Sequence, residues 1–413
     1  MEPGRTRTRA PGSASPVPAG PGRGRGALVL PFPGLRYREE VVGPLDAVMA
    51  PPHTELDKHE RERALAVAPY LVTHLERPEY AGTRTDGVPA VLRWVERGAL
   101  VQDPPALYVL QQQHAGRTHR FLLGELQVGP GADDRVLPHE ATIEDAVVSR
   151  AARLRAVAVD SEPVLLVDAG TAHASTRNHE GRALADAAGT PERLGDHVLR
   201  ARGQRVSVDV WRLEEPTLVA ALCAAVGARR WIIGDGHHRW AAVRRTVLGP
   251  HPGAVLAAFH LPGSTPLDVL ALHRLAPSGA AARLLAAPDV VLEHTGPVRQ
   301  APDLLAGLRE PRALVLHEGT ASVLRTPGNT QDATGTAAWV DHTLVEAGIA
   351  DDSIRYVSDT ERAVTGAVNG TAVLLSAPRW EDIAASTTGG RLMGRKATSY
   401  RPKPLAGAVL RLR

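Results

Sequence analysis

Cysteine is nearly absent: Cys223 stands alone in a chain of 413 residues. One thiol excludes an internal disulfide and fits a reducing compartment, so a cytoplasmic location is expected. Its neighbours from Leu218 to Val226 are almost all Ala, Val and Leu. Cys223 is therefore expected as a small core hydrophobe on a helix. Lysine is almost as rare. Lys58, Lys396 and Lys403 are the three lysines among 48 basic residues. Aromatic residues make up 4%, so the core must be aliphatic, which a hydrophobic content of 43% allows. No run of about 18 uninterrupted apolar residues occurs, and no membrane-spanning helix is expected.

Net positive charge is also scarce outside one segment. The formal net charge is +3, and residues 1–27 hold Arg5, Arg7, Arg9, Arg23 and Arg25 against Glu2. The remainder is close to neutral. No broad basic face is implied, and specific nucleic-acid binding loses its electrostatic basis. Residues 1–27 are rich in Pro, Gly, Ala and Arg and are expected to be a disordered basic tail. They lack the apolar core of a secretory signal. Three catalytic signatures are missing as well. There is no HExxH, no GxxxxGK[ST] and no GxSxG, which argues against a zinc protease, an ordinary P-loop enzyme and an α/β-hydrolase.

What is present centres on Trp231-Ile232-Ile233-Gly234-Asp235-Gly236-His237-His238-Arg239. The run starts apolar, like a buried strand, and continues through Trp240 to Arg245 as a helix. A strand, a glycine turn and a helix aim backbone N–H groups and a positive dipole end at an anion. Arg239 in the first helical turn is badly placed for that dipole unless something negative lies beside it. The bland alternative is a surface turn, which would more usually carry Asn, Ser, Pro or Lys.

Other candidates are weaker. Pro138-His139-Glu140 precedes a helix expected from Ile143 to Val159. The adjacent His139 and Glu140 suit a base and a metal ligand, or Glu140 simply marks a favourable helix start. Leu272-His273-Arg274-Leu275 reads most plainly as a satisfied core histidine with a surface arginine. Lys396 to Pro404 offers two ammonium groups, two hydroxyls and a phenol, either for phosphate contact or as a solvated basic end.

Strands are expected at Leu28–Tyr37, broken by prolines, and at Val164–Val167, Ala254–Leu261 and Ala313–His317. A hairpin is expected from Ala106–Gln111 and Arg120–Leu126, and a half-exposed strand at Val206–Trp211. Helices are expected over Asp57–Ala68, Ala90–Arg97 and Pro216–Val226, with Gly98 and Gly227 as stops. The elements mix without a βαβα rhythm, so the expected class is α+β with a mixed α/β sheet. The body, residues 28–413, is expected as two intertwined subdomains of about 28–200 and 201–413.

At these residues the chain resembles the family named domain of unknown function 1015. The matching stretches are Pro31 to Tyr37, Ala50-Pro51-Pro52, Pro105 to Tyr108, Pro138-His139-Glu140, Asp235 to Arg239, His273-Arg274, and Lys403-Pro404 with Gly407. The Asp-Gly-His-His-Arg run is also similar to the nucleotide-binding signature of the ParB/sulfiredoxin superfamily, which includes free L-serine kinases. The resemblance implies a ParB/sulfiredoxin-like core with an additional α/β subdomain. It implies ATP or ADP with Mg²⁺, and a small hydroxyl metabolite as phosphoryl acceptor, with free L-serine as a candidate. Glu140, Asp235, His237 and His238 would be catalytic, with Asp235 as metal ligand. Gly236, Arg239, Arg36, His139 and Lys403 would hold the nucleotide. Departures stand at His53-Thr54, where many members have Tyr-Asp, and at Ser149, where an aspartate is common. The alternatives are a ParB-like nucleotide-binding switch without turnover, and a metal-dependent hydrolase. The hydrolase is disfavoured because adjacent His237 and His238 diverge on a helix.

Overall fold

The computed structural model describes residues 27–51, 62, 65–66, 68–76, 90–114, 116–129, 131–170, 192–199, 204–246, 253–261, 264–288, 290–327 and 333–413. Residues 1–26, His53-Thr54 and most of the helix expected over 57–68 lie outside them.

The largest sheet has nine strands of mixed direction. Its order is Val136–Leu137, Trp231–Asp235, Val164–Asp168, Gly253–His260, Arg117–Val128, Leu107–His114, Gln204–Leu213 and Glu192–Leu199, with Val29–Leu30 also paired to Arg117–Val128. Trp231–Asp235 runs antiparallel to Val164–Asp168, which runs parallel to Gly253–His260. The α+β class with a mixed sheet is thus as expected. The hairpin is also as expected and longer, with Tyr108 opposite Leu123 and His114 opposite Arg117.

Alternation along the strands explains why both faces of this sheet are covered. Leu165, Val167 and Ile232 join one aliphatic core, while Val164, Leu166, Trp231 and Ile233 join the other. Pro216–Gly227 and His237–Thr246 pack in the second core through Leu222, Val226, Trp240 and Val243. Cys223 is half-buried against that core rather than inside it.

One expectation needs correction. Gln204–Leu213 is not half-exposed: Val206, Val208 and Val210 pack on one core, and Trp211 and Leu213 on the other. The polar Asp209 that suggested exposure is itself buried, and Gln111 Nε2 donates to its carboxylate at 3.1 Å.

A second sheet of six strands takes all of them from residues 273–374: Val291–Pro297, Thr320–Arg325, Arg312–His317, Thr371–Leu374, His273–Ala276 and Arg355–Val357. Val315 faces one core, and Leu314 and Leu316 the other. Glu192–Leu199 and Gln204–Leu213, on either side of the boundary expected near residue 200, pair with each other in the large sheet. Past residue 375 the chain turns back. Trp380–Thr388 packs on the first core, and Leu410–Leu412 pairs with Gly34–Tyr37 and Val159–Asp160. No helix among the described residues is long and apolar enough to cross a membrane.

Candidate functional site

The strand Trp231–Asp235 ends where Gly236 turns the chain into the helix His237–Thr246. Gly236 has φ +98°. A Cβ there would stand 3.2 Å from Val164 Cγ2, so both the dihedral and the close approach require glycine. The first helical hydrogen bond runs from Trp240 N to Gly236 O at 2.9 Å. No acidic residue occupies the first turn, so the dipole's positive end is not offset from within the helix.

Asp235 sits at that end. Its Oδ1 accepts from Lys403 Nζ at 2.5 Å and its Oδ2 from Arg239 Nη2 at 2.8 Å. Burial alone would push the carboxyl pKa up. Lys403 and Arg239 outweigh it and hold the group far below the usual carboxylate range. Arg239 is buried and fully engaged. Its Nη1 donates to the carbonyls of Glu162 and Pro163, and its Nη2 lies 3.4 Å from the Glu162 carboxylate. The negative neighbours anticipated for Arg239 are therefore protein groups, Asp235 and Glu162.

The two histidines part as their positions on a helix demand. His237 turns inward, with its ring centroid 4.6 Å from that of His139 in an edge-on contact. Burial first, then His139, lowers its pKa well below the ordinary histidine value. His238 is half-buried, and its Nε2 accepts from the backbone N–H of Ile143 at 3.3 Å. Burial and the nearby Lys396 keep its pKa low too, so both rings are neutral near pH 7.

Glu140 arrives from the other side. Its Oε1 accepts from the backbone N–H groups of Ala397 and Thr398 at 3.0 and 3.1 Å, and from Thr398 Oγ1 at 3.4 Å. The same hydroxyl lies 2.8 Å from His139 Nε2. Thr398 thus joins Glu140 to the buried His139, which packs edge-on against His237. Lys396, in a left-handed backbone conformation at φ +54°, is half-buried close enough to both histidines to depress them. Its ammonium has no hydrogen bond or ion pair among the described residues.

His139, Glu140, Asp235, Gly236, His237, His238, Arg239 and Lys403 are therefore gathered in one place, across 264 positions of sequence from His139 to Lys403. Arg36 belongs to another cluster. It makes a bidentate pair with Asp103 at 2.6 and 2.9 Å, joined by Tyr108 and Arg212. Ser149 lies on the exposed face of Glu144–Val157. Thr398, Glu162 and Tyr400, whose ring meets that of His139 edge-on at 5.9 Å, are not individually marked by the sequence. Thr398 and Tyr400 lie in the Lys396–Pro404 stretch that lysine scarcity had marked. Nothing in the sequence marked Glu162, which acts on Arg239 largely through its backbone carbonyl.

The donor set does not fit a magnesium ion held by the protein. Both oxygens of Asp235 are taken by cations, and no group of three or more His, Cys, Asp or Glu suited to a metal occurs among the described residues.

No curated protein matches this chain. Among solved structures, it is similar to a free serine kinase in complex with AMP, at 13% identity and a TM-score of 0.39, covering 67% of this chain and 86% of that one. It is equally similar to a conserved hypothetical protein from Pyrococcus furiosus, at 13% identity and a TM-score of 0.39, covering 67% and 89%. A family model described as "Protein of unknown function (DUF1015)" matches residues 29–294, a span that holds Glu140 and Asp235–Arg239 though not Thr398 or Lys403; the chain belongs to that family.

Proposed function

We propose that this site binds the phosphates of ATP or ADP and transfers a phosphoryl group to a small hydroxyl metabolite, with free L-serine as the first candidate. The observation that carries this reading is the junction itself. A helix N-terminus after Gly236 with no acidic residue in its first turn, an unpaired Lys396 and a carboxylate at Glu140 stand around one spot. Phosphoryl transfer needs little more than positioned charge and a proton acceptor.

The N–H groups opening the helix His237–Thr246 receive phosphate oxygens. Lys396 supplies positive charge, and His238 lies beside it. Asp235, Lys403 and Arg239 hold the turn in shape rather than contacting phosphate. Glu140 is the base. Its Oε1 is fixed by two backbone donors, which leaves Oε2 to take the acceptor's hydroxyl proton as the new O–P bond forms and the bond to the nucleotide leaving group breaks. Magnesium enters as the nucleotide's own counter-ion, and no step is assigned to it. The likeness of the Asp235–Arg239 run to the ParB/sulfiredoxin signature supports the same reading.

The test is to incubate the purified protein with Mg-ATP or Mg-ADP and a pool of amino acids and small alcohols. A phosphorylated product is expected. Nucleotide binding without turnover would replace the kinase with a nucleotide-binding switch, a reading favoured by the locked state of Asp235. Absence of binding would remove both.

A further inference from the structure

A cavity of about 810 Å³ opens between the six-stranded sheet and the helix Trp380–Thr388, a size usual for small-molecule sites. None of the residues of the strand–helix junction lines it. Its floor is aliphatic, with Leu270, Leu308 and Leu375.

Its wall is chemically directed. The backbone N–H of Leu375 donates to His273 Nδ1 at 3.2 Å, so Nδ1 is an acceptor and the ring proton sits on Nε2. Burial, then the neighbouring Arg274, keeps the ring neutral, with its pKa pulled down to about 4. The Nε2–H then donates to Thr360 Oγ1 at 3.3 Å. Ser358 Oγ likewise accepts from Arg401 Nη2 at 3.2 Å. Thr360 and Ser358 both line the cavity, and each already accepts a hydrogen bond from the protein. Neither O–H proton has an acceptor among the described residues.

Two oriented O–H donors above an aliphatic floor call for a ligand with acceptor oxygens and an apolar body. Charge agrees. Arg309, at the same cavity, is tied to the carbonyls of Ala306 and Leu308 and forms no ion pair among the described residues. Two acids line the same cavity. Asp382 is held bidentate by Arg379 at 2.9 and 2.8 Å, and Glu310 Oε2 takes the Thr336 hydroxyl.

We infer that this cavity is a second ligand site, for a small organic carboxylate with an aliphatic chain. Thr360 and Ser358 donate to the carboxylate, Arg309 supplies the opposite charge, and the three leucines cover the chain. The site is independent of the nucleotide reading, since it shares no residue with it.

Calorimetric titration of the whole protein with hexanoate tests the assignment, with hexylamine as the charge-reversed probe. Hexanoate is expected to bind and hexylamine not. Thr360→Val should weaken hexanoate about tenfold, the effect of one lost hydrogen bond to a charged group. Ala377→Trp, at an exposed position lining the cavity, should abolish binding by filling it. Glu140→Gln, in the other site, should leave it unchanged. No hexanoate binding, equal binding of hexylamine, or binding that survives Ala377→Trp would each overturn the inference.

Discussion

Asp235 Oδ1 lies 2.5 Å from Lys403 Nζ, although 168 positions separate the two residues in sequence. With Arg239 on the other oxygen, Asp235 is the shared anion of two largely buried cations. Asp235→Asn leaves those cations without it. The expected cost is about 3 kcal/mol or more at pH 7, because a broken buried pair strands charge. The folded pKa is depressed, so the carboxylate's contribution is complete above the unfolded value of about 3.9 and fades as pH falls below it. Urea unfolding of both proteins at pH 7 and pH 3 should show the gap narrowing in acid. A gap under about 1 kcal/mol at pH 7 would refute the shared-anion account.

Glu140→Gln keeps a carbonyl oxygen for the N–H groups of Ala397 and Thr398. Its melting temperature should stay close to that of the parent. Phosphoryl transfer should fall by about 10²–10⁴, the usual contribution of a general base. Nucleotide affinity should barely move, which separates a lost base from a lost binding group.

Thr398 offers a sharper probe of the same carboxylate. Thr398→Ala removes the hydroxyl between His139 Nε2 and Glu140 Oε1 but keeps the backbone donor. Turnover should drop about tenfold and its pH profile should shift. Thr398→Ser should restore both. Equal loss in the two variants would mean that the methyl group, through packing, is what matters.

Lys396→Met removes the unpaired ammonium while leaving the stem. Nucleotide affinity should fall about tenfold at low salt, with a smaller difference at high salt where charge is screened. A salt-independent loss would point to local unfolding instead.

Arg274 is fully buried, with bidentate bonds to Asp341 at 2.8 and 2.6 Å and the Tyr356 ring 5.2 Å away. Arg274→Ala should cost about 3–5 kcal/mol. The pair Arg274→Met with Asp341→Leu should recover most of that. Chemical denaturation of the single and double variants checks it.

Arg274 also shows where the sequence stops being legible. His273 reads correctly as a satisfied core histidine, but its neighbour reads as a surface arginine, because the carboxylate that pairs with it is 67 positions away, on the helix Ala333–Glu346. The strand–helix turn at Asp235 is readable because glycine, an apolar run and a helical pattern are local signals. The partner residues Thr398 and Lys403 reach it through a chain reversal after residue 375 that no local pattern announces. The hairpin Leu107–Val128 is readable for the same reason as the turn: alternation and a short connection are local. The buried Asp209 misled because a polar residue on an alternating strand usually marks solvent, and here a glutamine across the ladder satisfies it.

The late position of Lys403 and Thr398 has a further meaning for the order in which the molecule is made. A nascent chain can lay down Trp231–Asp235 against Val164–Asp168 as soon as those strands have emerged. Until residues 397–403 follow, Asp235 lacks its lysine and Glu140 lacks its two backbone donors. The cluster around Asp235 and Glu140 is therefore a report on completion: synthesis that halts before residue 397 yields a sheet with an unassembled site.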